Sequence, residues 1–251
     1  MIQKSEQKNV VISIRNLYKK FGNHQVLEGF NLDLYEDESL VIMGKSGTGK
    51  SVMLKCLIGL ERFDQGSISV MGRNMEKLST KDLAYIRSEV GFLFQGSALY
   101  DSMTVRENLE FPLRRHKIKF GHIKNTTPLI QEALESVGLQ HTLDLMPDEL
   151  SGGMKRRVAL ARTLILRPKI ILYDEPTTGL DPITSKEIVF LIKSVQQKFQ
   201  TSSIIITHDV DSARHLADRM ILLIEGKNYA EGTFDELDHS VDPKVMAFFK
   251  S

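Results

Sequence analysis

Gly44-Lys45-Ser46-Gly47-Thr48-Gly49-Lys50-Ser51 follows the apolar run Leu40-Val41-Ile42-Met43 and precedes the helix-like stretch Val52 to Leu60. The octapeptide fits G-x-x-x-x-G-K-[ST] in the strand-to-helix setting that gives this pattern its meaning. Small residues let backbone N–H groups turn inward around phosphate oxygens, and the start of a helix adds the positive end of its dipole. Gly44, Lys45, Ser46, Gly47, Thr48 and Gly49 then form a phosphate cradle. Lys50 supplies a point charge for β- and γ-phosphates, and Ser51 offers a hydroxyl to Mg²⁺.

Two more apolar runs end in titratable groups. Ile170-Ile171-Leu172-Tyr173 leads into Asp174-Glu175, where Pro176 ends the strand, and Ile204-Ile205-Ile206-Thr207 leads into His208-Asp209. Short continuous apolar runs are expected where helices cover both faces of a parallel sheet, and ligands of such sheets gather at the carboxyl ends of the strands. Acids there are costly without a cation, so Asp174 is expected to face Mg²⁺, with Glu175 orienting and deprotonating a water. His208 is read as a γ-phosphate contact, its plain alternative being an exposed helix-start residue.

Elsewhere the pattern changes. From Val10 to Glu36 the chain reads as strands: Phe30, Leu32 and Leu34 alternate with Asn31, Asp33 and Tyr35, the period of a half-buried antiparallel strand. Val105 to Leu166 is predicted to be mostly helical. Within it Ile130, Leu134 and Val137 recur before Gly138, and Pro147 and Gly152/Gly153 divide the remainder. The whole reads as an α/β core carrying an antiparallel front sheet and a helical insertion.

Composition narrows the function. The 251 residues are 41% hydrophobic and 26% charged, with 33 Lys+Arg against 32 Asp+Glu, which argues against a bulk electrostatic grip on DNA or anionic lipid. Lys155-Arg156-Arg157 is accordingly read as a solvated helix face, and no nucleic-acid partner is expected. A lone cysteine, Cys56, fits a reducing compartment and is read as packing. No run approaches the length of a membrane span, and Met1 to Asn9 lacks the apolar middle of a signal peptide.

Leu150-Ser151-Gly152-Gly153-Met154 opens a further predicted helix, with Ser151 as N-cap and two glycines that let a phosphate approach. Ser151 lies 23 residues before Asp174. The order of phosphate loop, Gln95, Ser-Gly-Gly, Asp-Glu, Gly179-Leu180-Asp181 and His208 resembles the ATP-binding subunit of ABC transporters from about Ile12 onward. That resemblance implies a single domain over 1–251: a P-loop NTPase (RecA-like) core with an antiparallel β subdomain, a helical ABC subdomain near 96–166, and a short tail at 240–251. It also implies a Mg²⁺-dependent ATPase working as a homodimer. Phe21, with Tyr18 as rival, would stack on adenine; Gln95 would join Mg²⁺ and the attacking water to the transport partner. Asp181 would lie in the loop crossing between subunits. Ser151, Gly152 and Gly153 would clasp the γ-phosphate held by the other copy's loop. Met154 departs from the family's usual Gln and leaves that residue's nucleotide contact open.

Finer wording, Phe94 to Leu109, Leu145 to Leu150, Ser-Gly-Gly-Met and Asp181-Pro182-Ile183-Thr184, resembles the Mla-type ATPases that energise MCE-associated phospholipid transport between bacterial membranes. Implied partners are an integral-membrane permease and an MCE-domain protein, with the subunit peripheral on the cytoplasmic face of the inner membrane. Leu99, Tyr100 and Met103 are expected to offer the permease an apolar surface, internal packing being the alternative. Asp242 to Phe249 is predicted to form a capped helix, docking on its own subunit or, slightly preferred, on its twin. Other readings are the ATPase of another importer or lipoprotein releaser, or a non-transport ABC ATPase of cofactor assembly or cell division.

Overall fold

A computed structural model describes residues 9–115 and 125–249. Strands β1 (Val10–Phe21) and β2 (His24–Tyr35) pair antiparallel, with Ile14 opposite Leu32 and Leu17 opposite Phe30. Phe30, Leu32 and Leu34 are buried as their alternation predicts. The fully buried β3 (Ser39–Met43) runs through the phosphate-loop segment into α1 (Lys50–Leu57). Next, β4 (Gln65–Val70) and β5 (Arg73–Asn74) complete a four-stranded front sheet of order β2-β1-β4-β5. Helix α2 (Thr80–Glu89), capped by Ser79, returns the chain to β6 (Val90–Leu93).

The next stretch carries three α-helices among its described residues, α3 (Val105–Arg115), α4 (Thr127–Glu135) and α5 (Gly152–Leu164). Residues 116–124 of the helical part expected near 96–166 lie outside the described residues. Ile130, Leu134 and Val137 point into one core, and Gly138 adopts φ +71° just past α4. Beyond come β7 (Ile170–Asp174), α6 (Pro182–Phe199), β8 (Ser202–Thr207), α7 (Val210–Leu216), β9 (Arg219–Ile224) and β10 (Lys227–Gly232), then α8 (Phe234–Asp238) and α9 (Pro243–Phe249). The main sheet has the order β10-β9-β3-β8-β7-β6, parallel from β9 to β6 with β10 antiparallel at the edge.

Continuous apolar strands are explained by two cores. Leu40, Ile42, Ile170, Leu172, Ile204 and Ile206 face the front sheet and α1. Their sequence neighbours Val41, Met43, Ile171, Tyr173 and Ile205 face the helical side. Each such side chain contributes roughly 1.5–3 kcal/mol of burial, so neither face tolerates a register slip. Cys56 packs in the front core, 1% exposed, and burial pushes its thiol up to about 11.

One surface expectation changes, and the tail can be placed. Leu99 packs against the helical-side core instead of facing outward, and Met103 is half-buried. Tyr100 is 43% exposed, lies 4.8 Å from the Phe111 ring, and with Phe111, Phe92 and Leu60 lines a cavity of about 410 Å³. The tail helix α9 packs on its own chain, one of the two dockings expected of it. Val245 is buried, the Phe249 ring meets Phe234 edge-on at 5.4 Å, and Asp242 accepts from the Tyr229 hydroxyl at 2.9 Å. The apolar side of the helix finds its partner within the chain.

Candidate functional site

The phosphate loop is a tight turn wedged against β2. Gly49 has φ +99°, and a Cβ there would lie 2.8 Å from both Val26 Cγ1 and the Val26 carbonyl oxygen, so neither conformation nor space admits a side chain. Inside the loop Lys50 Nζ donates to the carbonyls of Gly44 (2.7 Å) and Lys45 (3.0 Å), while Thr48 Oγ1 donates to Lys45 at 2.9 Å. Lys45, Ser46 and Gly47 are exposed along its rim. Lys50 itself is 6% exposed; burial lowers its pKa, and the charges of Glu175 and Asp174 oppose that shift. No acid occupies the first turn of α1, which leaves its N-terminal amides suited to an anion.

At the end of β7, Asp174 is buried and accepts from Ser51 Oγ at 2.7 Å. Burial pushes its carboxyl pKa up; the Ser51 hydrogen bond opposes this and the charge of Glu175 adds to it. A buried carboxylate beside a hydroxyl is a hard oxygen donor pair, so these residues fit Mg²⁺.

Glu175 adopts φ +51°, a left-handed conformation that costs a non-glycine residue about 1 kcal/mol or more and is characteristic of functional sites. The turn is held by its N–H donating to Ile206 at 3.0 Å. It places Oε2 2.7 Å from His208 Nδ1 and 3.1 Å from the Thr178 hydroxyl that donates to it, with Oε1 3.9 Å from Lys50 Nζ. The His208 side chain stays 62% exposed. Its position is fixed by the next residue, Asp209, which caps α7 through the amides of Asp211 and Ser212.

Lys50, Ser51, Asp174, Glu175 and His208 are thus joined through direct contacts, as their strand ends predict. The remaining residues stand apart from that cluster. Gln95 is exposed just beyond β6. Ser151 caps α5, accepting from the Met154 amide at 3.2 Å. Gly153 has a packing role that the sequence does not announce: a Cβ there would lie 2.6 Å from Thr184 Cγ2 on α6. Asp181 caps α6, accepting from the amides of Ile183 and Thr184, both at 3.0 Å. Phe21 is 47% exposed with Lys19 Nζ 4.5 Å from its ring centre, so it is not a core residue. Its rival Tyr18 is half-buried against Gly29.

One reading is overturned outright. Arg156 is not on a solvated face: it is 4% exposed and donates to the carbonyls of Phe94 (2.8 Å) and Thr178 (3.3 Å). Arg157 donates to the Val137 carbonyl and pairs with Glu187 at 2.7 Å. The missed signal is spacing. Arg156, Ala159, Leu160, Thr163 and Leu164 fall on one helical stripe, and all five are buried.

Sheet order, phosphate loop and converging strand ends together define a P-loop ATPase cassette. The chain belongs to the ABC transporter family, which matches residues 27–178, and it is an ATPase. Over 240 residues it is 38% identical to the intermembrane phospholipid transport system ATP-binding protein MlaF of Haemophilus influenzae, spanning 96% of this chain and 90% of that protein. Over 252 residues it is 37% identical to the methionine import ATP-binding protein MetN of Campylobacter jejuni, spanning 95% of this chain and 75% of that one. Among solved structures, a dimeric post-hydrolysis state of the ATP-binding cassette MJ0796 bound to ADP and Pi superposes with a TM-score of 0.80 at 32% identity. It covers 89% of this chain and 98% of that one.

Proposed function

We propose that this ABC ATPase powers phospholipid transport between membranes. The observation that carries the cargo is the 38% identity to MlaF over 90% of that protein's length. The motif Ser151-Gly152-Gly153-Met154, with Met where the family usually has Gln, supports it. The near-equal likeness to MetN keeps methionine import as the second reading.

Lys50, released from the Gly44 and Lys45 carbonyls, pairs with the β- and γ-phosphates of ATP, which enter over the α1 amides. Phe21 offers an exposed ring face to adenine. Ser51 and Asp174, with Gln95, would hold Mg²⁺, which supplies charge neutralisation between the phosphates. Glu175 takes the proton of the attacking water. His208 Nδ1 orients Glu175 and leaves Nε2 for the γ-phosphate, a division of labour that the 2.7 Å contact supports. The dimeric state of the MJ0796 relative supports a head-to-tail pair here, each Ser151-Gly152-Gly153 turn and Asp181 loop closing on the other copy's nucleotide.

Among the described residues no helix is long and apolar enough to cross a membrane, and the partner in this reading is an integral-membrane permease. The cavity lined by Tyr100 and Phe111 would take one of its short cytoplasmic helices. The test is mild-detergent isolation of the tagged subunit from its native membranes, with mass spectrometry of proteins and lipids. A permease with an MCE-domain protein and phospholipid is expected. A permease with an amino-acid-binding protein would replace the cargo, and soluble partners alone would overturn transport.

A further inference from the structure

We propose that Arg156 is a positioning residue that fastens the strand end bearing Gln95 and the turn bearing Glu175 to the helix headed by Ser151. The proposal rests on the catalytic reading of Gln95 and Glu175 given above. Arg156 lies in the first turns of α5, and its two terminal nitrogens divide between carbonyls from separate loops. One is Phe94, the residue before Gln95; the other is Thr178, whose hydroxyl donates to Glu175 Oε2.

Stability alone does not account for this arginine. It is 4% exposed, its Nε is buried without a hydrogen-bond partner, and among the described residues it has no carboxylate partner. An unpaired buried cation is costly, and an apolar residue at this position would fold at less expense. What the arginine adds is a fork of donors in a fixed geometry, able to hold two carbonyls at one spacing. The same helix grips the far side of Gln95. Arg162 donates to the Ser97 carbonyl at 3.0 Å and the Ala98 carbonyl at 2.7 Å, where the backbone turns through two left-handed residues in succession. Gln95 is therefore suspended between two arginines of α5. A displacement of the Ser151 end of that helix is carried to Phe94 and to Thr178 together, and so to both groups that address the water.

The test compares Arg156→Lys and Arg156→Gln with the wild-type full-length subunit in steady-state ATPase assays and thermal melts, with Glu175→Gln alongside. A misplacement of about 1 Å is enough for roughly a hundredfold loss of rate. Arg156→Gln is expected to lower kcat by about that factor while KM for ATP stays within about twofold, because the phosphate loop is untouched. Arg156→Lys, which keeps the charge but reaches one carbonyl, is expected to recover part of kcat. Wild-type kcat in either folded variant would overturn the proposal. So would equal losses in both that vanish when the fold is restabilised by a second substitution. Turnover lost in Glu175→Gln but kept in Arg156→Gln overturns the positioning role alone; turnover kept in Glu175→Gln overturns the reading of the site.

Discussion

Glu175 and His208 leave neighbouring strands and meet with Oε2 and Nδ1 2.7 Å apart. The contact requires the left-handed backbone at Glu175, which turns a side chain at the end of β7 toward the end of β8. Glu175→Gln is expected to lower kcat by about 10²–10⁴ while retaining ATP, since it loses a base and keeps the shape. His208→Ala should cost about 10²–10³ through loss of phosphate stabilisation. Single-turnover ATPase assays with measured nucleotide occupancy check both. If the double variant is as slow as Glu175→Gln alone, the two act as one unit.

Asp174 gives the pH dependence. Its pKa is raised by burial, so the folded chain binds this proton more tightly than the unfolded chain does. The associated stability is complete below the ordinary value of 3.8 and is lost as pH rises through the raised one. At neutral pH the ionised carboxylate is therefore a destabilising charge. Asp174→Asn is expected to raise Tm at pH 7 and to bring no gain at pH 3, while removing Mg²⁺-dependent turnover. Melting curves at the two pH values decide it; a lower Tm at pH 7 contradicts the argument.

Tyr173 is fully buried beside this acid, and among the described residues its hydroxyl has no hydrogen-bond partner. Leaving such a group unsatisfied costs about 1–3 kcal/mol. Tyr173→Phe keeps the ring and removes the oxygen, so Tm should rise by about 2–4 °C per kcal/mol recovered. Unchanged kcat is expected with it. A fall in Tm would show that the hydroxyl has a use the contacts do not reveal.

Gly153 separates packing from phosphate binding. Gly153→Ala places a methyl 2.6 Å from Thr184 Cγ2, a clash expected to cost about 1–3 kcal/mol. Thr184→Ser removes that methyl and retains the hydroxyl that bonds Asp181. The double variant should recover most of the lost Tm. Recovery of ATPase with it would assign Gly153 to packing alone, and recovery of Tm without ATPase would leave the backbone its phosphate role.

The sequence carried the main site because its signals are local. A glycine-rich turn between an apolar strand and a helix, and acids at the end of a buried strand, each have few physical uses. Two-sided burial was legible in the unbroken apolar runs of β3, β7 and β8. What escaped depends on partners distant in sequence. Arg156 sits in a basic triplet, and charge pattern hid a burial stripe that helical spacing contained; the two carbonyls it holds are 62 and 22 residues away. The tail's cap at Asp242 was visible, but the ring that meets Phe249 belongs to α8 and leaves no mark on the tail itself. Likewise, nothing near Gly153 names Thr184.

Cys56 has one more consequence. Because the only thiol of the chain is shut inside α1 and held protonated at neutral pH, an added surface cysteine becomes the sole group a maleimide or spin label can reach. Ile183, 74% exposed beside the Asp181 loop, and Val241, 91% exposed before the tail helix, are ready attachment points. Distances between two copies can then be recorded through the ATP cycle in a protein whose native cysteine never had to be removed.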